Sequence, residues 1–141
     1  MLDYKVYLDR LVSGKAVDNP YLDFMGIRAE EFRAGYARFS MEIKPEFIQG
    51  AGIMQGGLSV SLCDETSAHA AITTLSNDEQ VATIEIKNDF LSMASKGILT
   101  AEATVFKRGR TLIVVDCVVT DENSKKISRS TATFMVIKNK K

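Results

Sequence analysis

The stretch FIQGAGIMQGGLSVSLCDETSAHAA, Phe47 to Ala71, decides the fold. Four glycines, Gly50, Gly52, Gly56 and Gly57, precede an apolar run that continues to Leu75. Residues 57–75 are too long for one strand and rich in Ala and Leu, and Leu58, Leu62, Ala68, Ala71, Ile72 and Leu75 give a helix its apolar surface. The start of a helix exposes backbone N–H groups and the positive end of the dipole, and glycine lets a ligand come close to those amides. Gly56 and Gly57 therefore suit a carbonyl oxygen that gains negative charge during a reaction. Asp64 follows about two turns later, beside Leu58, Leu62 and Cys63, where partial desolvation makes a carboxylate a candidate base or nucleophile. Both features also have plain readings: a Gly-Gly pair as ordinary loop chemistry, and a mid-helix aspartate as a solvated or ion-paired side chain. The glycine spacing is wrong for a dinucleotide-binding fingerprint.

Outward from this helix the pattern is mostly strand. Leu2, Val6, Leu8, Leu11 and Val12 predict a short amphipathic helix ending near Gly14, and AVDNPYLDFMG reads as a loop. In GYARFSMEI, Ala37, Phe39, Met41 and Ile43 alternate with polar residues, a half-buried strand paired with 27–33 through a turn at Ala34-Gly35. Four more strands are expected at 81–91, with Ile84, Ile86 and Phe90 on one face, and at 98–106, 111–120 and 127–137. The strand at 111–120 is apolar on both faces and belongs in the middle of the sheet. One helix cannot cover a sheet of about six strands twice. The expected architecture is a single α+β domain over residues 1–141, a curved antiparallel sheet wrapped around a long central helix, whose remaining edges call for a partner copy.

The totals exclude several functions. Of 141 residues, 18 are Lys or Arg and 18 Asp or Glu, so the formal net charge is zero and nothing steers the chain to nucleic acid or an anionic membrane. No apolar run approaches the ~18 residues of a membrane span, and the N-terminus lacks a signal-peptide layout, so the expected location is the cytoplasm. Cys63 and Cys117 form no CxxC and read as buried free thiols. His69, the sole histidine, lies mid-helix among alanines and reads as structural or exposed, which leaves no evident Ser-His-Asp triad and no metal site. Met25, Phe47, Met54 and Leu58 suit either an apolar pocket or the core.

The combination resembles the hotdog-fold acyl-CoA thioesterases of the phenylacetate-degradation (PaaI-like) and 4-hydroxybenzoyl-CoA thioesterase group. Their pattern is Asn or Gln, five residues, His-Gly-Gly, and an acid nine positions after the His. Here Gln49 stands at the first position, MQGG replaces the usual His-Gly-Gly run, and Asp64 is nine residues after Gln55. The layout extends from YARFSMEI through the last four strands, including the GR turn. The resemblance implies a homodimer, and in some members a dimer of dimers, with each active site between protomers. It implies that the Gly56 amide polarises a thioester carbonyl with Gly57 beside it. Asp64 would act as nucleophile or base, and Gln49 and Thr83 would orient substrate or water. The turn residues Lys107, Arg108, Arg110 and Thr111 would contact coenzyme A, which is part of the substrate; no further cofactor is implied. Two departures stand out: Gln55 replaces the usual His, and SMAS at 92–95 lacks a proline often found there. The competing functions are a hotdog dehydratase, which would need a well-placed histidine, and a non-catalytic acyl-CoA-binding protein.

Overall fold

The computed structural model of the chain describes residues 2–139. The alternating segment forms β1 (Ile27–Arg33) and β2 (Tyr36–Glu42), with Gly35 in the left-handed conformation, φ +72°, at the turn. The glycine-led run forms α3 (Gly56–Ile72), and β3 (Glu79–Phe90), β4 (Ile98–Arg108), β5 (Leu112–Thr120) and β6 (Lys126–Lys138) follow. Neighbouring strands are antiparallel throughout, in the order β1-β2-β4-β5-β6-β3, so β5 is interior and β1 and β3 are the edges. The helix packs on one face of this sheet, touching β2, β4, β5, β6 and β3. This is the expected hotdog arrangement of α+β class.

Side-chain size explains how the helix comes to lie so close. One row across the inner face reads Ala37, Ala103, Cys117, Ser130 by register. The facing helix contributes Ser59, Cys63, Ser67, Ala70 and Ala71, all buried. Larger side chains fill the flanks of this row: Phe39, Met41, Leu62, Leu99, Ile113, Val115, Val119 and Phe134 are almost fully removed from water. Two buried helix hydroxyls return to their own backbone, Ser59 Oγ to the Gly56 carbonyl at 2.8 Å and Thr66 Oγ1 to the Leu62 carbonyl at 2.7 Å. Met25 and Met54 are core residues, and Phe47 and Leu58 pack against the core.

Two sequence expectations need correction. The segment read as a loop contains a second helix: α1 (Tyr4–Val12), capped by Asp3, is followed by α2 (Pro20–Met25). Asn19 caps α2, Pro20 is its first residue, and Gly26 ends it with φ +68°, a full set of start and stop signals. In β3, Ile84 does not join Ile86 on the core face. Thr83 pairs with Phe134 but Glu85 with Thr133, so Ile84 is the extra residue of a bulge and lies 53% exposed. Cys63 and Cys117 are buried free thiols, as expected, and the helix and strand that carry them bring the two side chains together. Among the described residues no helix is long and apolar enough to cross a membrane.

Candidate active site

The loop before α3 builds the helix start. Pro45–Phe47 makes one 3-10 turn, Ile48 bridges Met54, and the Gln49 carbonyl accepts the Gly52 N–H at 2.9 Å. The Gln49 side chain closes the same loop, its Oε1 accepting the Ala51 N–H at 2.5 Å. Gln55 occupies the N-cap position without a side-chain cap bond. Its amide lies over Gly57 instead, where a Cβ would stand 2.8 Å from Oε1. A Cβ on Gly56 would stand 3.0 Å from Cε1 of Phe90. Both glycines thus have close side-chain neighbours that would have to shift for a Cβ, and the first amides of α3 stay uncovered by side chains of their own.

From that end α3 runs antiparallel to β3. Gly56 lies against Phe90, and about two turns on, Asp64 Oδ1 accepts the Thr83 hydroxyl at 3.0 Å. Asp64 is half-buried. Eight residues at ~1.5 Å each put Gly56 and Asp64 ~12 Å apart along the axis, so one thioester carbonyl cannot touch both within a chain. Sequence reasoning missed Tyr21, which α2 carries to this part of α3. Its hydroxyl contacts Ser61 Oγ, and burial chiefly, opposed by the Ser61 bond and aided by the nearby Glu65 and Asp64 charges, raises its pKa. Glu65, beside Asp64, is likewise raised, first by burial and only last by the Asp64 charge, with the Asn19 amide acting in the opposite direction.

The basic turn lies elsewhere. It stands at the Glu79 end of β3, and Gly56 lies at the Phe90 end. Arg108 is committed to a 2.9 Å ion pair with Glu79, whose carboxyl is held below the usual range by the Ser76 N–H first and by Arg108 after it. Lys107, Arg110 and Thr111 are exposed. Within a single chain the structure joins Asp64 to Thr83 and places Gln49, Gln55, Gly56 and Gly57 in a second group.

His69 takes no part in either group. Its Nδ1 faces the Glu65 carbonyl at 2.9 Å, which assigns the proton to Nδ1 and makes Nε2 the acceptor of the Tyr7 hydroxyl at 3.0 Å. Asn19 Nδ2 donates to the same hydroxyl at 3.0 Å. Burial pushes the imidazole pKa down to about 4, so the ring is neutral, stacked between Tyr7 and Phe32 with Phe39 edge-on. The chain Asn19–Tyr7–His69 pins the two N-terminal helices to α3 along a cavity of about 500 Å³. Among the described residues no three His, Cys, Asp or Glu side chains converge to hold a metal ion.

This architecture has known counterparts. The Thioesterase superfamily model matches residues 51–128, more than half of the chain. A candidate esterase of Saccharolobus solfataricus is 31% identical over 114 residues, 81% of this chain and 75% of that protein. The 1,4-dihydroxy-2-naphthoyl-CoA hydrolase of Listeria monocytogenes is 29% identical over 83% of this chain and 95% of its own length. A solved structure from Ralstonia eutropha, described as a phenylacetic acid degradation-related candidate thioesterase, superposes with a TM-score of 0.84 at 24% identity, covering 92% of this chain and 98% of that one, a likeness of fold. With a hotdog sheet, a glycine-led central helix and these relatives, the chain belongs to the thioesterase superfamily and is a thioester hydrolase.

Proposed function

We propose that the protein hydrolyses an acyl-CoA thioester to the free acid and coenzyme A without metal or further cofactor, with Asp64 as general base. The observation that carries this reading is the Thr83–Asp64 hydrogen bond. It fixes one carboxylate oxygen and leaves Oδ2 to take a proton from water. The water oxygen attacks the thioester carbon, Asp64 receives the proton, and the proton then passes to the leaving CoA sulfur. The Gly56 N–H, with Gly57 beside it, stabilises the developing oxyanion. Gln49 and Gln55 orient the thioester at that helix start.

The working unit is a homodimer, which resolves the ~12 Å separation of Gly56 and Asp64 on one helix. The outer side of β3 is an edge twelve residues long. Antiparallel pairing of two such edges about a two-fold axis sets the Phe90 end of one strand beside the Glu79 end of the other. One protomer's Gly56 thereby approaches the half that holds the other protomer's Asp64 and basic turn. Lys107, Arg110 and Thr111 then meet the phosphates of the bound nucleotide, and Arg108 stays on Glu79. Two unbonded thiols suit a cytoplasmic setting.

The test is thiol release from short, medium, long-chain and aryl CoA esters, with light scattering for the assembly. A single turnover in ¹⁸O-water distinguishes the base from a nucleophile: a base places the label in the first acid released. Saturable binding of acyl-CoA with no hydrolysis of any ester would replace this reading with a binding protein.

A further inference from the structure

The seam between α3 and the β3–β6 side of the sheet holds polar side chains with too few partners. Ser67 is 0% exposed and Ser130 2%. Neither Ser67 Oγ nor Ser130 Oγ, nor either amide atom of Asn88, has a hydrogen-bond partner, although all four are shut off from solvent. They are neighbours by construction. Asn88 pairs with Ser130 across β3 and β6, and Ser130 with Cys117 across β6 and β5, so the three form one lateral row beneath the helix that carries Ser67. The nearest polar company is sulfur. A hydrogen bond between the two free thiols lowers the Cys63 pKa, burial opposes this, and the Ser130 and Ser128 hydroxyls lower it further; Ser67 lies beside Cys117. Thiols are weak partners, and they leave the Asn88 amide with none at all.

Leaving such groups dry is costly. A buried polar group without a partner costs about 1–3 kcal/mol, and here there are two hydroxyls and a whole amide. Natural interiors meet this situation with ordered water, which makes about three bonds in a polar niche. We propose that Ser67, Ser130 and Asn88 are the walls of an internal hydration site that holds at least one ordered water between α3 and the β5–β6–β3 side of the sheet. Its ligand class is water because the niche supplies donors and acceptors together and no charged side chain. Asn88 sits on an edge strand and is only half-buried as a residue, so it is the wall nearest the exterior. Asn88 lies two residues along β3 from Phe90, which covers Gly56. The inference rests on the packing alone, so a failed hydrolysis assay leaves it standing.

The experiment is a crystal structure of the full chain at a resolution that shows ordered solvent, with NMR water-to-protein cross-relaxation measured in solution. The expected result is density for water within hydrogen-bond distance of at least two of the three side chains, and a long-lived water signal at the Asn88 side-chain amide. The triple variant Ser67→Ala, Ser130→Ala, Asn88→Val should abolish that signal. The proposal is overturned if the niche is dry with Asn88 bonded directly to Ser67 or Ser130, or if the Asn88 amide instead bonds a partner subunit. The wild-type measurements decide the matter even if the triple variant does not fold.

Discussion

The most decisive perturbation is Asp64→Asn. Asparagine has the same shape and keeps an oxygen for the Thr83 hydroxyl, now 3.0 Å from Asp64 Oδ1. Folding therefore loses only the difference between a charged and a neutral acceptor, about 1 kcal/mol at most for a half-exposed pair. Catalysis loses its proton acceptor, and the usual scale for a general base is ~10²-fold or more, or ~2.7 kcal/mol of barrier at 1.36 kcal/mol per decade. The two effects separate in two assays. Thermal unfolding and light scattering should match wild type closely, while steady-state thiol release falls at least a hundredfold. Thr83→Val supplies the internal comparison. It removes the donor and keeps the carboxylate, so the loss should be smaller, ~10-fold or less, because Thr83 orients the base without taking the proton. A folded Asp64→Asn protein that turns over its best thioester at the wild-type rate would refute the reasoning and return Asp64 to a structural role.

The remaining predictions address the glycine, the histidine and the turn. Gly56→Ala should leave the fold intact, since alanine favours the helix by about 1 kcal/mol and Phe90, 64% exposed, can yield to a Cβ 3.0 Å away; kcat/KM should nevertheless fall, and an unchanged value argues against the amide as oxyanion donor. His69 has a folded pKa of about 4, below the ordinary 6.5. The unfolded chain therefore binds the extra proton first, and stability that is full above pH 6.5 is lost as pH falls towards 4, by up to about 3 kcal/mol. Urea unfolding at pH 7, 5.5 and 4.5 measures this slope, and His69→Gln should flatten it. Lys107→Ala with Arg110→Ala should raise KM for acyl-CoA but not for a short thioester without the nucleotide, and added salt should mimic the change; equal effects on both substrates leave the turn as ordinary surface.

Much of the fold was legible because each long element carried its own periodicity. Ala37, Phe39, Met41 and Ile43 alternate cleanly, and all four are buried in β2 or at its end. The apolar run at 111–120 belongs in mid-sheet, and it lies there. What failed was local. A helix of six residues is too short to show a period, so α2 could be read only from its caps, Asn19, Pro20 and Gly26. Those same signals also mark turns. The bulge at Ile84 breaks no rule of composition; it follows from pairing with β6, a partner more than forty residues away.

The site was legible in a different way, as residues without their distances. The spacing of Gln49, Gly56 and Asp64 singled out one segment, but spacing along a helix cannot say which groups share a substrate. The contact that gives Asp64 its setting is Thr83, nineteen residues on and set by β3 registering against α3. Tyr21 was invisible because its relevance depends on α2, and α2 on three capping residues. Arg108 looked like a phosphate ligand by type, yet Glu79 claims it, because both lie at the same end of the sheet. The glycines show the limit most plainly. The Phe90 ring crowds Gly56 and the Gln55 amide crowds Gly57, so each has a packing reason to favour glycine. A ligand reason is compatible with that: Phe90 and Gln55 wall the entrance to amides that no side chain of residues 56 and 57 can cover. Packing and chemistry then ask for the same residue, and only an added methyl that spares the fold and spoils the rate can tell them apart.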